Sequence, residues 1–179
     1  MAEIQTIAVI GAGAAGLALT RLAAQGGYRV ILEDILPASL RRAESEIRRS
    51  FDQSVAEGGL LQAAADVALA RIEYASSVEQ AARQADLVIE SVPDELESKL
   101  EIFTLLDKIC RPHTILISTT SSLNISDIAS VTYRSQKCLG LRFGSAERLE
   151  LTRCAQTDDE TMAACLEAAR RMVKDVTVL

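Results

Sequence analysis

Residues 6–34 read TIAVIGAGAAGLALTRLAAQGGYRVILED: an apolar run, a glycine turn, a helical pattern, and a second apolar run that ends in two carboxylates. Thr6 to Ile10 is short, continuous and rich in β-branched residues, which predicts a buried strand. Gly11, Gly13 and Gly16 follow that strand and open a helix, and Glu33 and Asp34 close the next strand, which is the context a dinucleotide-binding G-x-G-x-x-G needs. Gly11 permits the tight turn, Gly13 lets the backbone approach a pyrophosphate, and Gly16 lets the helix lie close on the strands. The backbone of Ala12, Ala14 and Ala15 completes the cradle, with the helix N-terminus facing the phosphates. Either carboxylate of the Glu33–Asp34 pair could accept from a ribose 2′-hydroxyl while repelling a 2′-phosphate, so NAD is favoured over NADP. The same local pattern suits a flavoprotein, and on this stretch alone FAD stays open.

Outward from this unit the alternation continues. Tyr28 to Leu32, Leu87 to Glu90, Thr114 to Ser118 and Cys138 to Phe143 read as buried strands. Leu40, Ala43, Ile47, Phe51 and Val55 recur at helical spacing, with Arg41, Arg42, Arg48 and Arg49 turned mostly to the other face. A shorter helix over Gln62 to Ala70, a brief strand over Arg71 to Tyr74 and a helix over Val78 to Gln84 follow. Leu96, Leu100, Phe103, Leu106 and Cys110 mark another helix, for which Asp94 and Glu97 form a candidate capping box. The last helix runs from Asp158 to Val173, before a closing strand in VTVL. Strands alternating with helices predict an α/β fold with a doubly wound, mostly parallel sheet of the Rossmann type, in one domain over residues 1–179.

Composition narrows the function. A net charge of -6 without a basic run argues against nucleic acid and anionic membranes as partners. No apolar segment approaches the roughly 20 residues of a membrane span, and the first residues lack a basic start, so a cytoplasmic protein is expected. The four cysteines, 110, 138, 154 and 165, show no C-x-x-C spacing and read as buried thiols. His113, the single histidine, reads as a surface loop residue and leaves a metal site little to build on, so no metal is expected.

The middle of the chain, ADLVIESVPDELESKLEIFTLLDKI, then ILISTTSSLNISDIA, then CLGLRF, resembles the N-terminal domain of the 3-hydroxyacyl-CoA dehydrogenase family. The resemblance spans essentially all 179 residues and disfavours the flavin alternative. It implies an NAD-dependent, 3-hydroxybutyryl-CoA dehydrogenase-like oxidoreductase of fatty acid metabolism. By that resemblance Asp94 and Lys99 lie along the nicotinamide half of the cofactor, and Ser121 hydrogen-bonds the substrate's 3-oxygen. Each has a plainer alternative: Asp94 caps its helix, Lys99 is a solvated charge, and Ser121 belongs to the turn before the next helix.

Where the family places a histidine that takes the proton of the 3-hydroxyl, this chain has Arg142, followed by Gly144 and Ser145 in place of a Phe and an Asn. An imidazole with a pKa near about 6.5 exchanges a proton at neutral pH, whereas a guanidinium above about 12 stays charged and cannot act as the base. The glutamate that orients the family's histidine falls on Glu150 or Leu151, and Glu150 is expected to pair with Arg142 or Arg148 instead. The family's helical domain after the last strand is absent from this sequence. Two function classes therefore stand: a dehydrogenase using another base on acyl-CoA or another small acid, and a non-catalytic NAD-binding module or partner subunit. The resemblance implies assembly as a homo-oligomer or with another chain.

Overall fold

The computed structural model describes residues 3–144 and 148–179. Among these, eight strands form one sheet: β1 (Thr6–Ile10), β2 (Arg29–Glu33), β3 (Ile72–Ala75), β4 (Leu87–Glu90), β5 (Ile115–Thr119), β6 (Cys138–Phe143), β7 (Leu149–Arg153) and β8 (Val176–Val178), in the order β3-β2-β1-β4-β5-β6-β7-β8. Every pairing is parallel except that of β6 with β7. The helices are α1 (Ala14–Gln25), α2 (Pro37–Ala56), α3 (Gln62–Leu69), α4 (Val78–Ala82), α5 (Leu96–Ile109), α6 (Ile125–Ala129) and α7 (Asp159–Met172).

The central strands are buried on both faces, and their alternation divides the core in two. Ile7 and Val9 of β1 join Leu19 of α1, Ile47 and Phe51 of α2 and Met162 of α7, whereas Ala8 and Ile10 join Phe103 and Leu106 of α5 and Ile128 of α6. A strand whose odd and even residues both need apolar cover must lie between two helical layers. The doubly wound, mostly parallel sheet read from the sequence is therefore the one observed.

Several boundaries follow local chemistry. Pro37 opens α2, where its missing N–H costs nothing, and Ala43, Ile47 and Phe51 form the buried stripe. Asp158 caps α7 by accepting from the Thr161 N–H at 2.6 Å, with acidic residues in the first turn and Arg170 and Arg171 in the last, matching the helix dipole. The capping box predicted for α5 is not formed. Glu95 is the N-cap, it makes no side-chain cap hydrogen bond, and Asp94 is turned away to other partners. A strand not expected from the sequence, β7, forms from the LELTR run that carries Glu150.

Candidate functional site

The order of strands reverses between β1 and β4: connections run outward through β2 and β3 on one side and through β5 and β6 on the other. In open α/β sheets the crevice beyond the strand C-termini at such a point is where ligands bind. Here it holds a cleft of about 1120 Å³, just above the roughly 300–1,000 Å³ usual for ligand sites. Gly11, Gly13, Glu33, Asp34, Asp94, Ser121 and Arg142 all line it.

The glycine turn is packed on the protein side and open on the cleft side. Gly11 has φ +104°, and a Cβ there would stand 2.6 Å from the Ser91 carbonyl oxygen. A Cβ at Gly16 would stand 1.9 Å from the Gly11 oxygen, so only glycine lets α1 lie this close to the turn. At Gly13 nothing lies within 4 Å of the position a Cβ would take. Gly13 is also the N-cap of α1, with no side-chain cap and no acidic residue in the first turn. The N–H groups of Ala14, Ala15 and Gly16 are thus presented where an anion can receive them.

The two carboxylates after β2 differ. Asp34 is partly exposed and accepts from the Ala12 N–H at 3.1 Å and the Leu36 N–H at 2.9 Å, which ties it to the glycine turn. Glu33 is buried, and burial together with the neighbouring Asp34 charge pushes its carboxyl up to about 7. Asp34 is the carboxylate with the access to meet a ribose hydroxyl.

Asp94 lines the cleft, whereas Lys99 lies beneath it. Lys99 is fully buried, neither solvated nor among the cleft-lining residues. Its Nζ donates to Glu90 Oε1 at 2.8 Å, Glu90 Oε2 at 3.1 Å, the Thr119 carbonyl at 2.7 Å and the Val92 carbonyl at 3.3 Å. Glu90, also fully buried, accepts in addition from Ser118 Oγ at 2.6 Å and the Val92 N–H at 2.7 Å. Burial raises the Glu90 carboxyl, and the Lys99 charge with these hydrogen bonds pulls it back down. The cluster joins the C-terminal ends of β4 and β5 beneath the cleft, with nothing in the sequence pattern to betray it beyond a lysine on the apolar stripe of α5.

Asp94 lies above this cluster, 3.9 Å from Lys99 Nζ. Its Oδ2 accepts from the Ser121 N–H at 3.2 Å, Ser121 Oγ at 3.3 Å and Ser122 Oγ at 3.1 Å. Burial acts to raise its carboxyl pKa, but hydrogen bonds from Thr120, Ser121 and Ser122 and the Lys99 charge hold it below the usual range. Asp94 and Ser121 are thus one unit at the mouth of the cleft.

Arg142 and Glu150 face each other in the antiparallel register of β6 and β7, and Arg142 Nε donates to Glu150 Oε2. Arg148 takes the other option, donating to Asp175 at 2.8 Å. Because β7 runs backward, a residue eight positions after Arg142 returns to the same end of the sheet. Gly144 leaves the space: a Cβ there would stand 3.0 Å from Glu150 Oε1. Ser145 lies outside the described residues. All four cysteines are buried as free thiols, and His113 is exposed, 3.7 Å from Asp86. Among the described residues, no helix is long and apolar enough to cross a membrane.

A doubly wound sheet with an uncapped, glycine-lined helix N-terminus at its switch point defines a dinucleotide-binding domain. The chain belongs to the 3-hydroxyacyl-CoA dehydrogenase, NAD binding domain family, which it matches over residues 6–179. It is 33% identical over 176 residues to a probable 3-hydroxybutyryl-CoA dehydrogenase of Bacillus subtilis (strain 168), an alignment covering 96% of this chain and 61% of that protein. It is 30% identical over 182 residues to the mitochondrial hydroxyacyl-coenzyme A dehydrogenase of Homo sapiens, covering 96% and 57%. Among solved structures, (S)-3-hydroxybutyryl-CoA dehydrogenase from Ralstonia eutropha superposes with a TM-score of 0.94 at 29% identity, covering 99% of this chain and 64% of that one. The chain thus spans about three fifths of the length of these relatives.

This is an NAD-binding domain, and the family decides between the two dinucleotides that the glycine motif left open. The residues fit the group. The open space over Gly13 and the free first turn of α1 suit a pyrophosphate, and Asp34 suits an unphosphorylated ribose.

Proposed function

We propose that this chain holds NAD(H) across the cleft and presents its nicotinamide end to a 3-hydroxy or 3-oxo group beside Ser121 and Arg142. The observation that carries the reading is the uncapped N-terminus of α1 with empty space over Gly13. In it, Gly11, Ala12, Gly13, Ala14, Ala15 and Gly16 receive the pyrophosphate, and Asp34 accepts from the adenosine ribose, with Glu33 behind it.

When bound, NAD supplies a hydride acceptor, or its reduced form a donor. The chain's own part is orientation and charge. Ser121 keeps its hydroxyl at the cleft mouth through Asp94, where it can turn to donate to a 3-oxygen. Lys99 acts from below as a positioning residue, since its Nζ fixes the Thr119 carbonyl at the foot of the Ser121 loop. A guanidinium offers donors and no acceptor, so Arg142 cannot take the proton of a 3-hydroxyl. General-base catalysis is worth about 10²- to 10⁴-fold, and turnover on these residues alone falls short by that order.

A 3-hydroxyacyl or 3-oxoacyl compound is the substrate class that similarity to 3-hydroxybutyryl-CoA dehydrogenases supports. Association with another chain, a second copy included, is supported by Leu105 and Phe143, which line the cleft with 40% and 38% of their surface exposed. A second reading, a cofactor-holding subunit without chemistry, is favoured by the Arg142–Glu150 pair. NADH fluorescence and NADH consumption with acetoacetyl-CoA, measured on one sample at high protein concentration, test both. Binding with turnover that disappears in Ser121→Ala supports the oxidoreductase, binding without turnover supports the second reading, and no binding overturns the proposal.

A further inference from the structure

The substrate end of the cleft carries an arginine whose hydrogen-bonding capacity is mostly unspent. A guanidinium has five N–H donors in a fixed fork. In Arg142, among the described residues, the Nε donor is engaged by Glu150, and neither Nη nitrogen has a hydrogen-bond partner. The side chain is 45% exposed and lines the cleft, so these donors are open to a ligand.

The surroundings hold this fork in place. Leu139 and Leu141 of β6 point into the layer of α1, α2 and α7, so Arg142, one residue on, belongs to the opposite face, that of α5 and α6. The Ser121 loop leads into α6 on that same face. Glu150, with only 16% of its side chain exposed, fixes the guanidinium from behind, and the bare Gly144 lets it do so. Asp94, another carboxylate lining this cleft, is already committed: its Oδ2 takes three donors from the Ser121 loop and its charge faces Lys99. A planar, charged, partly exposed fork in the same cleft as the Ser121 hydroxyl is a receptor for a carboxylate.

We infer that Arg142 is a carboxylate-binding residue and that the ligand taken at this end of the cleft is a free 3-oxo or 3-hydroxy acid rather than its thioester. The inference rests on the NAD(H) reading above for the identity of the cleft but uses a part of it that the cofactor does not occupy. A thioester in the same place offers only a neutral carbonyl to the guanidinium. Charge-assisted hydrogen bonds exceed neutral ones by enough to make the preference tenfold or more.

The test is an NMR titration of the nitrogen-15-labelled full chain, with and without NADH, using acetoacetate, ethyl acetoacetate, acetoacetyl-CoA and inorganic phosphate as probes. Acetoacetate is expected to move the Arg142 Nε–H and Ser121 amide peaks saturably, at least about tenfold more tightly than the ester or phosphate. Arg142→Gln removes the response, and Arg142→Lys, which keeps the charge and loses the fork, weakens it about tenfold. An ester or acetoacetyl-CoA that binds as tightly as acetoacetate, phosphate that competes equally, or an unchanged affinity in Arg142→Gln overturns the inference. The ester comparison needs only the wild-type chain and holds even if a variant misfolds. NADH is read separately at the Gly13 and Ala14 amides: silence there with the acid response intact refutes the cofactor reading and leaves the acid site standing.

Discussion

Replacing Lys99 by methionine keeps the length and bulk of the side chain and deletes its charge. In the wild type, Lys99 and Glu90 are both fully buried, and the ammonium satisfies both carboxylate oxygens and two backbone carbonyls. Removing one partner of a buried pair leaves a charge with neither water nor counter-ion, at a cost of about 3–5 kcal/mol. Against a total stability of about 5–15 kcal/mol, that is a large share. The cost has a pH signature. Burial already raises the Glu90 carboxyl, and without Lys99 it rises further, so the folded chain keeps a proton there that the unfolded chain has released. Stability then falls as pH rises from the ordinary carboxylate range toward the raised folded value. Urea unfolding followed by circular dichroism should show the deficit of Lys99→Met widening from pH 5 to pH 8. Adding Glu90→Gln should recover part of it, since the amide oxygen still accepts from the Val92 N–H while its NH2 can donate to Ser118 Oγ. A deficit under about 1 kcal/mol, or one equal at both pH values, would refute the assignment of Lys99 to this pair.

Gly13→Val should cost little stability, because its side chain enters empty space, yet reduce NADH affinity by at least about tenfold in a fluorescence titration. Glu33 rises to about 7 on folding, so it withdraws stability as pH climbs from about 4.5 to 7 and is flat above. Glu33→Gln should therefore gain on the wild type across that window, by an amount on the order of 3 kcal/mol, measured as thermal or urea midpoints at pH 5 and pH 8. Arg142→His would set an imidazole in register with Glu150, and NADH oxidation with acetoacetyl-CoA should rise by about 10²- to 10⁴-fold; no gain would mean that more than the base is missing.

The glycine turn and both of its flanking strands were legible because strand burial, turn geometry and helix start all act within 29 consecutive residues, Thr6 through Asp34. Arg142 was legible through the family resemblance, which left Glu150 or Leu151 as its counterpart and Arg142 or Arg148 as the partner of Glu150, and only the antiparallel register of β7 sets Arg142 opposite Glu150. The Lys99–Glu90 pair was not. A lysine on a helix is ordinarily solvated, and only the packing of α5 over β4 and β5 places its amine under the Ser121 loop. The capping alternative for Asp94 fails for a related reason. Its spacing to Glu97 matches a capping box, but the three donors of the Ser121 loop come from 27 and 28 residues away and outcompete the local N–H groups.

The position of β1 at the switch point also governs how the chain folds. Its first partner pairs Thr6 with Arg29, but its second pairs Ile7 with Leu87, so this interior strand keeps one open edge until 80 further residues exist. At ribosomal speeds of about 5–20 residues per second, that interval is roughly 4–16 s. During synthesis the same run of Ile7, Val9 and Ile10 that later anchors the cofactor turn is an apolar edge with no neighbour, and its protection rests on β2 and α1 alone.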